Sequence, residues 1–146
     1  MNKKGFTLIE MVTVMAILSI ISIVTVTGYT YSARQEMQRF AQQISEAIQV
    51  MQQKASMENA VYILDKREED KDKYIFVKSG QKSIFSYKVP KQLDVEMNVE
   101  EIEFAQDMSP AQAGTIWVKH QTLPYCIKMT IRPVTGLVTI YPLEEI

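Results

Sequence analysis

Glu10 is the residue whose position most strongly indicates chemistry. It is the single charge in the run FTLIEMVTVMAILSIISIVTV from Phe6 to Val26. A carboxylate in such a segment costs up to about 3 kcal/mol at a bilayer centre, and less near the interface. Lys3, Lys4 and Gly5 precede the run, and none of them lies inside it. A plain membrane anchor would leave Glu10 unexplained.

The other reactive side chains do not form a recognisable site. The single His and the single Cys, His120 and Cys126, are six residues apart with a proline between them, and two ligands do not make a zinc site. No G-x-S-x-G nucleophile motif is present. The acidic stretch from Asp94 to Asp107 lacks the Asp/Asn/Gly spacing of a calcium loop. We therefore predict no catalytic residue, no metal and no cofactor, and a chain that is not an enzyme.

The apolar run predicts a membrane-spanning helix over residues 6–26. At about 1.5 Å per residue it is roughly 31 Å long, enough to cross a bilayer core. The lysines before it should keep the N-terminus cytoplasmic, so that the rest of the chain lies outside. A cleaved secretory signal fits less well, because its apolar part would be only about 7 to 15 residues and Tyr31 stands where a small residue is needed.

The segment Lys4-Gly5-Phe6-Thr7-Leu8-Ile9-Glu10 resembles the class III signal of type IV prepilins and type II secretion pseudopilins. The resemblance implies that residues 1–5 are a leader, which a prepilin peptidase removes by cutting between Gly5 and Phe6. It also implies methylation of the new amine on Phe6. It assigns Glu10 to filament assembly.

The chemistry of a cleaved chain leaves two partners open for Glu10. The amine created at Phe6 has a reference pKa near 8 and would be positive. Glu10 of one subunit could neutralise the Phe6 amine of its neighbour, a pairing that makes both charges tolerable in an apolar bundle. Glu10 is also four residues from Phe6, on the same helical face, and could pair within its own chain. The resemblance favours the pairing between chains.

Beyond the membrane segment the pattern becomes that of an amphipathic helix, followed by strands. Apolar residues recur at steps of three and four, so that one helix is predicted from about Phe6 to about Glu58. The period then changes to seven short strands, predicted at Val61–Leu64, Tyr74–Val77, Ile84–Val89, Val95–Val99, Thr115–Lys119, Tyr125–Ile131 and Leu137–Tyr141. We expect a mixed-charge loop over Lys66–Lys73. The prediction is an α+β subunit: a long helix over residues 6–58 packed on a small antiparallel β-sheet head over residues 59–146.

The head is similar to the β-domain of GspH-type minor pseudopilins and to ComGD-type subunits of Gram-positive competence pili. The similarity lies in Ile102–Phe104, Gly114–Val118 and Thr135–Ile140. It implies a minor subunit of a cell-surface filament that helps to prime assembly or forms the tip. The implied partners are other pilin or pseudopilin subunits, the prepilin peptidase, the membrane and, indirectly, an assembly ATPase and a platform protein. DNA uptake by a competence pilus is the first expectation and type II secretion the second.

Two further hypotheses belong to other classes. The chain could be a signal-anchored extracellular binding domain in which Glu10 is incidental. DNA is a candidate partner because residues 66–91 hold eight basic and four acidic residues. Tyr74, Phe76 and Phe85 lie in predicted strands, where packing in the core explains them equally well. The formal net charge of −1 excludes the profile of a dedicated nucleic-acid-binding domain.

Overall fold

A computed structural model of the chain describes residues 7–80, 82–105, 107 and 110–145. The predicted leader and the Gly5–Phe6 bond lie outside these residues. The chain divides into two compact units, Met1–Ala33 and Arg34–Ile146. The second unit therefore includes the last part of the long helix together with all the strands.

One helix, α1, runs over Leu8–Glu58. Its predicted end near Glu58 is confirmed, and the end has a physical cause. Asn59 adopts a left-handed conformation with φ 55°, and the Ala60 amide donates to the Ala55 carbonyl at 3.3 Å. This 6→1 bond is that of a Schellman motif, which satisfies a carbonyl left without a partner at the helix end.

The strands after α1 form two antiparallel sheets. The seven predicted strands are all present among the nine strands of the described residues, and the predicted α+β architecture of a long helix packed on antiparallel sheets is confirmed. The first sheet has the order β3-β2-β1-β5, and the second has the order β4-β6-β7-β8 with β9 also paired to β7. The strands are β1 Tyr62–Glu69, β2 Asp72–Ser79, β3 Lys82–Lys88, β4 Leu93–Met97, β5 Glu101–Phe104, β6 Gly114–His120, β7 Tyr125–Ile131, β8 Val138–Ile140 and β9 Glu144–Glu145.

The predicted loop over Lys66–Lys73 is wrong. These residues are the far end of a hairpin in which β1 pairs with β2, with only Asp70 and Lys71 between the strands. Both turn residues have positive φ, 49° and 70°. The charged residues misled the prediction because this end of the hairpin is largely exposed and shows no alternation of burial. The short strands β5 and β9 were not predicted.

The core of the globular unit lies between α1 and the inner faces of both sheets. One face of α1 supplies apolar side chains at most 3% exposed, and each sheet supplies alternating residues that are almost completely buried. The main contributors are Met37, Phe40, Ile44, Ile48 and Met51 from α1, Leu64, Ile75, Val77, Ile102 and Phe104 from the first sheet, and Leu93, Val95, Ile116, Val118, Ile127 and Met129 from the second.

Candidate processing and assembly site

The first turn of α1 is closed by a reciprocal pair of hydrogen bonds between Thr7 and Glu10. The Thr7 amide and hydroxyl both donate to Glu10 Oε2 at 2.8 Å, and the Glu10 amide donates to Thr7 Oγ1 at 3.3 Å. This is a capping box, with Thr7 as N-cap and Glu10 at the third helical position. The carboxylate also lies at the positive end of the helix dipole, where a negative charge is favoured.

The hydroxyl groups of the following turns are satisfied within the helix. Serine and threonine side chains donate to the carbonyl four residues earlier at 2.7 to 2.9 Å. Such bonds leave no hydroxyl donor without an acceptor when the helix is transferred to an apolar environment. The donors are Thr13, Ser19, Ser22, Thr25 and Thr27.

The apolar residues of the same segment are exposed on every face of the helix. Their exposed fractions range from 49% at Val14 to 84% at Leu8. An 18-residue stretch of α1 has a mean hydropathy of 2.3 and is long and apolar enough to cross a membrane. A helix that is apolar all round needs an apolar environment outside its own chain.

The sequence-predicted site residues are thus only partly visible. Gly5 and Phe6 lie outside the described residues, whereas Glu10 lies in the first turn of α1 with Thr7 as its partner. The role of Thr7 was missed at the sequence level. The T-x-x-E spacing before an apolar run is the signal that would have revealed it.

His120 and Cys126 do not come together as ligands. Cys126 is the register partner of Lys119, so the neighbouring His120 side chain lies on the opposite face of the sheet. The buried His120 Nδ1 accepts hydrogen bonds from the amides of Thr122 and Leu123 at 3.2 and 3.1 Å, which fixes the turn after β6. Burial raises the pKa of the Cys126 thiol, which keeps it in the unreactive protonated form. Within the described ranges, no three His, Cys, Asp or Glu residues are grouped to hold a metal.

Most of the excess basic side chains in residues 66–91 form ion pairs or hydrogen bonds within the chain. Lys78 and Arg67 both bind Asp65, and Lys88 binds Asp72. Lys66 Nζ donates to the carbonyl of Val95 at 2.8 Å. Tyr74 and Phe76, whose rings pack with centroids 5.7 Å apart, lie on the outer face of the sheet, because the alternate residues of β2 are the buried ones.

The acidic stretch is partly neutralised by the same kind of contact. Lys73 Nζ lies 2.8 Å from Asp94, and Lys119 Nζ lies 2.6 Å from Glu96. Burial alone would raise the pKa of Asp94, but the hydrogen bond and charge of Lys73 outweigh it and hold that pKa below its ordinary value. The contact of Lys73 with Asp94 therefore joins the first sheet to the second, and the described residues of the stretch do not form a ligand cluster.

Comparison with known proteins gives a family match at the N-terminus and similarities of fold over most of the chain. Residues 1–26 match the family described as the prokaryotic N-terminal methylation motif. No curated protein matches the sequence. Solved structures of two proteins are similar in fold over most of their length. The type IV minor pilin FimU of Pseudomonas aeruginosa PAO1 has a TM-score of 0.62 and 15% identity, over 77% of this chain and 92% of that one.

The minor pseudopilin EpsH from the Type 2 Secretion System of Vibrio cholerae has a TM-score of 0.56 and 9% identity, over 73% of this chain and 96% of that one. The fold is pilin-like. At this level of identity the similarity concerns the backbone arrangement alone. The match spans a type IV minor pilin and a secretion pseudopilin, so it does not distinguish between the two systems.

Proposed function

We propose that this chain is a minor pilin or pseudopilin, a structural subunit of a type IV pilus-like filament. The observation that carries the proposal is the exposed apolar segment of α1, which lies within the region that matches the methylation motif, residues 1–26, and begins at the Thr7–Glu10 cap. Such a segment fits a bilayer before assembly and a bundle of like helices after it. The pilin-like fold of the chain supports the same function.

Processing and membrane insertion form the first steps of the proposed function. The chain enters the membrane once, with its N-terminus in the cytoplasm. A prepilin peptidase then cuts between Gly5 and Phe6 and methylates Phe6. The processed subunit joins other pilin-type subunits on the cell surface, driven by an assembly ATPase and a platform protein that act from outside this chain.

The processing step is tested by the intact mass of the chain produced with and without a prepilin peptidase. We expect the loss of Met1 to Gly5 and the gain of one methyl group. Gly5→Leu should block the cut, because a side chain at this position prevents close approach of the backbone to a peptidase cleft. Gly28→Leu is the matched control, because the Gly28 Cβ position has no atom within 4 Å. A chain that keeps its lysines in the presence of the peptidase would refute this function.

The role of Glu10 can be separated from its capping bonds. Glutamine can replace glutamate in a capping box, so Glu10→Gln keeps the cap and removes the charge. Thr7→Val keeps the charge of Glu10 and removes the hydroxyl group that caps the helix. If Glu10 pairs with the Phe6 amine of a neighbour, Glu10→Gln will abolish recovery of the chain in sheared filaments, and Thr7→Val will leave most of it. Normal recovery of Glu10→Gln together with loss of Thr7→Val would assign Glu10 to the cap alone.

A competence pilus for DNA uptake is our first choice of filament, and a type II secretion pseudopilus is the second. The choice rests on the similarity of the head to ComGD-type subunits, and on a single cysteine where many pilins of Gram-negative bacteria have a C-terminal pair. Deletion of the gene followed by transformation and secretion assays tests it. Loss of transformation with normal secretion is the expected result. The opposite pattern would favour the secretion pseudopilus.

A signal-anchored extracellular binding domain is the alternative from another class. It predicts a chain that stays unprocessed and is absent from sheared filaments. DNA remains a candidate partner both for a filament subunit and for a signal-anchored binding domain. Its binding to residues 66–91 would have to compete with the ion pairs of Arg67, Lys78 and Lys88.

A further inference from the structure

The C-terminal hairpin of the globular unit exposes a cluster of apolar side chains. Val134 is 84% exposed, Leu137 55%, Tyr141 40% and Ile140 39%. They lie within eight residues of one another, in and beside β8. No charged residue occurs between Val134 and Leu143. Leu137 and Tyr141 alternate with Ile140 along the chain, so exposed apolar side chains border β8 on both faces of the sheet, and grouped exposed apolar residues mark an interaction site more often than isolated ones do.

β8 is also the last strand of its sheet in the described part of the chain. The Tyr141 amide donates to the Lys128 carbonyl at 2.9 Å, and the Arg132 amide donates to the Leu137 carbonyl at 3.1 Å. Backbone groups alternate along a strand, so those of Leu137, Thr139 and Tyr141 face β7. The amide and carbonyl groups of Val138 and Ile140 therefore face outward along the open edge.

The other terminal strands of the two sheets carry features that protect their edges. β3 has Lys82 and Lys88 at its two ends and a bulge where its register with β2 shifts. The edge of β4 has its Val95 carbonyl bound by Lys66. The edge of β5 is covered by Pro110, which bridges to Phe104. Lysines, bulges and covering segments are the usual means of preventing strand pairing between molecules.

The sequence of β8 and its flanking residues, Leu-Val-Thr-Ile-Tyr, is complementary to itself in the antiparallel direction. With Thr139 at the centre, Val138 lies opposite Ile140 of a second copy, and Leu137 lies opposite Tyr141. The outward groups of Val138 and Ile140 then form two hydrogen-bonded pairs, which exchange four backbone bonds. Thr139 lies opposite Thr139 of the second copy in a close pair that exchanges no backbone hydrogen bonds. Cross-strand pairs of β-branched or aromatic residues and Thr–Thr pairs are favourable.

We propose that the edge of β8 is a self-association surface, through which two copies of this chain join their second sheets across antiparallel β8 strands. This inference goes beyond the proposed function and does not depend on processing or filament assembly. The dimer brings the apolar side chains of Leu137, Ile140 and Tyr141 against those of the second copy and satisfies the outward backbone groups of Val138 and Ile140. It occupies a single edge of each copy, so that the association closes at two.

The proposal is tested on the full chain in detergent micelles by sedimentation velocity. The protein mass should be that of two copies. Thr139→Lys places two lysines directly opposite each other and should raise the dissociation constant at least about tenfold, whereas Ser86→Lys on the exposed part of β3 should not change it. A monomeric parent chain would overturn the proposal. So would a dimer that survives Thr139→Lys, since the apolar part of α1 would then be joining the copies.

A disulfide tests the register separately. Replacing the only cysteine by Cys126→Ala and adding Thr139→Cys brings two thiols together at a close antiparallel pair, where Cα atoms lie about 4.5 Å apart and a disulfide can form. Mild oxidation should convert most of this chain to a covalent dimer. Ser86→Cys in the same background should remain largely monomeric. Equal cross-linking at both positions would overturn the proposed register.

Discussion

The two parts of α1 have similar apolar residues and opposite surroundings. Ile17 and Ile20 are 52% and 62% exposed, whereas Ile44 and Ile48 are completely buried. All four isoleucines lie in one unbroken helix. Intrinsic helix propensity therefore does not separate them, and the difference lies in what faces each side chain.

The spacing of the apolar residues explains this contrast. Up to Val26 nearly every position is apolar, so no orientation of the helix could bury them all against one set of strands. From Met37 to Ala55 the apolar positions recur at steps of three and four, and that face packs on the sheets. The first part of α1 thus depends on surroundings outside the chain, and the second depends on the chain itself.

The largest expected effect comes from truncating a buried isoleucine of α1. Ile48→Ala should lower the free energy of unfolding of the globular unit by about 2–5 kcal/mol, because it leaves a cavity in a close-packed core. Ile20→Ala makes the same change in the exposed part of α1 and should alter the free energy of unfolding of the globular unit by no more than about 0.5 kcal/mol. Denaturant titration in detergent micelles, followed by the fluorescence of Trp117, measures both. Similar losses would mean that the exposed part also supports the globular unit.

The two glycines Gly28 and Gly114 allow a second comparison. A Cβ at Gly114 would lie 2.9 Å from Ile102 Cδ1 and 3.2 Å from its Cγ1, whereas one at Gly28 meets no atom within 4 Å. Gly114→Ala should therefore cost about 1–3 kcal/mol through overpacking. Gly28→Ala should leave the unfolding of the globular unit unchanged. The same titration gives both values.

The clash at Gly114 also predicts its own rescue. Ile102→Val removes the Cδ1 atom that lies closest to the new methyl group. The double variant should therefore recover part of the loss, and a double-mutant cycle measures the coupling. Purely additive losses would show that the contact with Ile102 is not the cause.

Much of the fold could be predicted from the sequence, and the exceptions have physical reasons. The end of α1 near Glu58 and all seven proposed strands follow from periodicity. The hairpin over Lys66–Lys73 could not be predicted, because its residues are held by cross-strand pairs and by contacts such as that of Lys66 with the Val95 carbonyl, and not by a buried face. The division of the strands into two sheets depends on long-range pairing, such as β1 with β5, that no local pattern encodes.

The candidate site shows the same limit. The charge of Glu10 within an apolar run could be identified from the sequence alone. Its bonds to Thr7 are also signalled by the T-x-x-E spacing, but the helix was predicted to start near Phe6, a residue or two before the turn that Thr7 caps. The outer-face position of Tyr74 and Phe76 needed the strand register, because period-two alternation does not say which set of residues faces the core.

The end of α1 in the globular unit should tolerate fewer substitutions than its beginning. Asn59→Val should lower the free energy of unfolding by about 1–2 kcal/mol, because a β-branched residue fits the left-handed conformation poorly. Asn59→Gly should be neutral or slightly stabilising. Thr7→Val removes the cap at the other end of α1 and should leave this unfolding unchanged. Thermal melting of the three variants tests the comparison, and a loss with Thr7→Val would contradict it.

The smallest expected effect is on the pH dependence of stability, and it arises from an ion pair in the globular unit. Lys73 and Asp94 form an ion pair that lowers the pKa of Asp94 from 3.8, although burial opposes the shift, and raises the pKa of Lys73 from 10.5. A lowered carboxyl pKa gives stability that is complete above the unfolded value and is lost as the pH falls through the folded value. The raised pKa of Lys73 gives stability that is complete below the unfolded value and is lost as the pH rises through the higher folded value.

Lys73→Met should therefore remove at most about 1 kcal/mol near neutral pH, since both partners are about one-third exposed. It should also make unfolding less sensitive to acid below about pH 4. Lys71→Met, in the turn of the same hairpin, serves as the control and should keep the acid dependence of the parent chain. Melting temperatures measured from neutral pH to pH 3 compare the two variants. An unchanged acid dependence in Lys73→Met would mean that this ion pair does not link the β1–β2 hairpin to the second sheet.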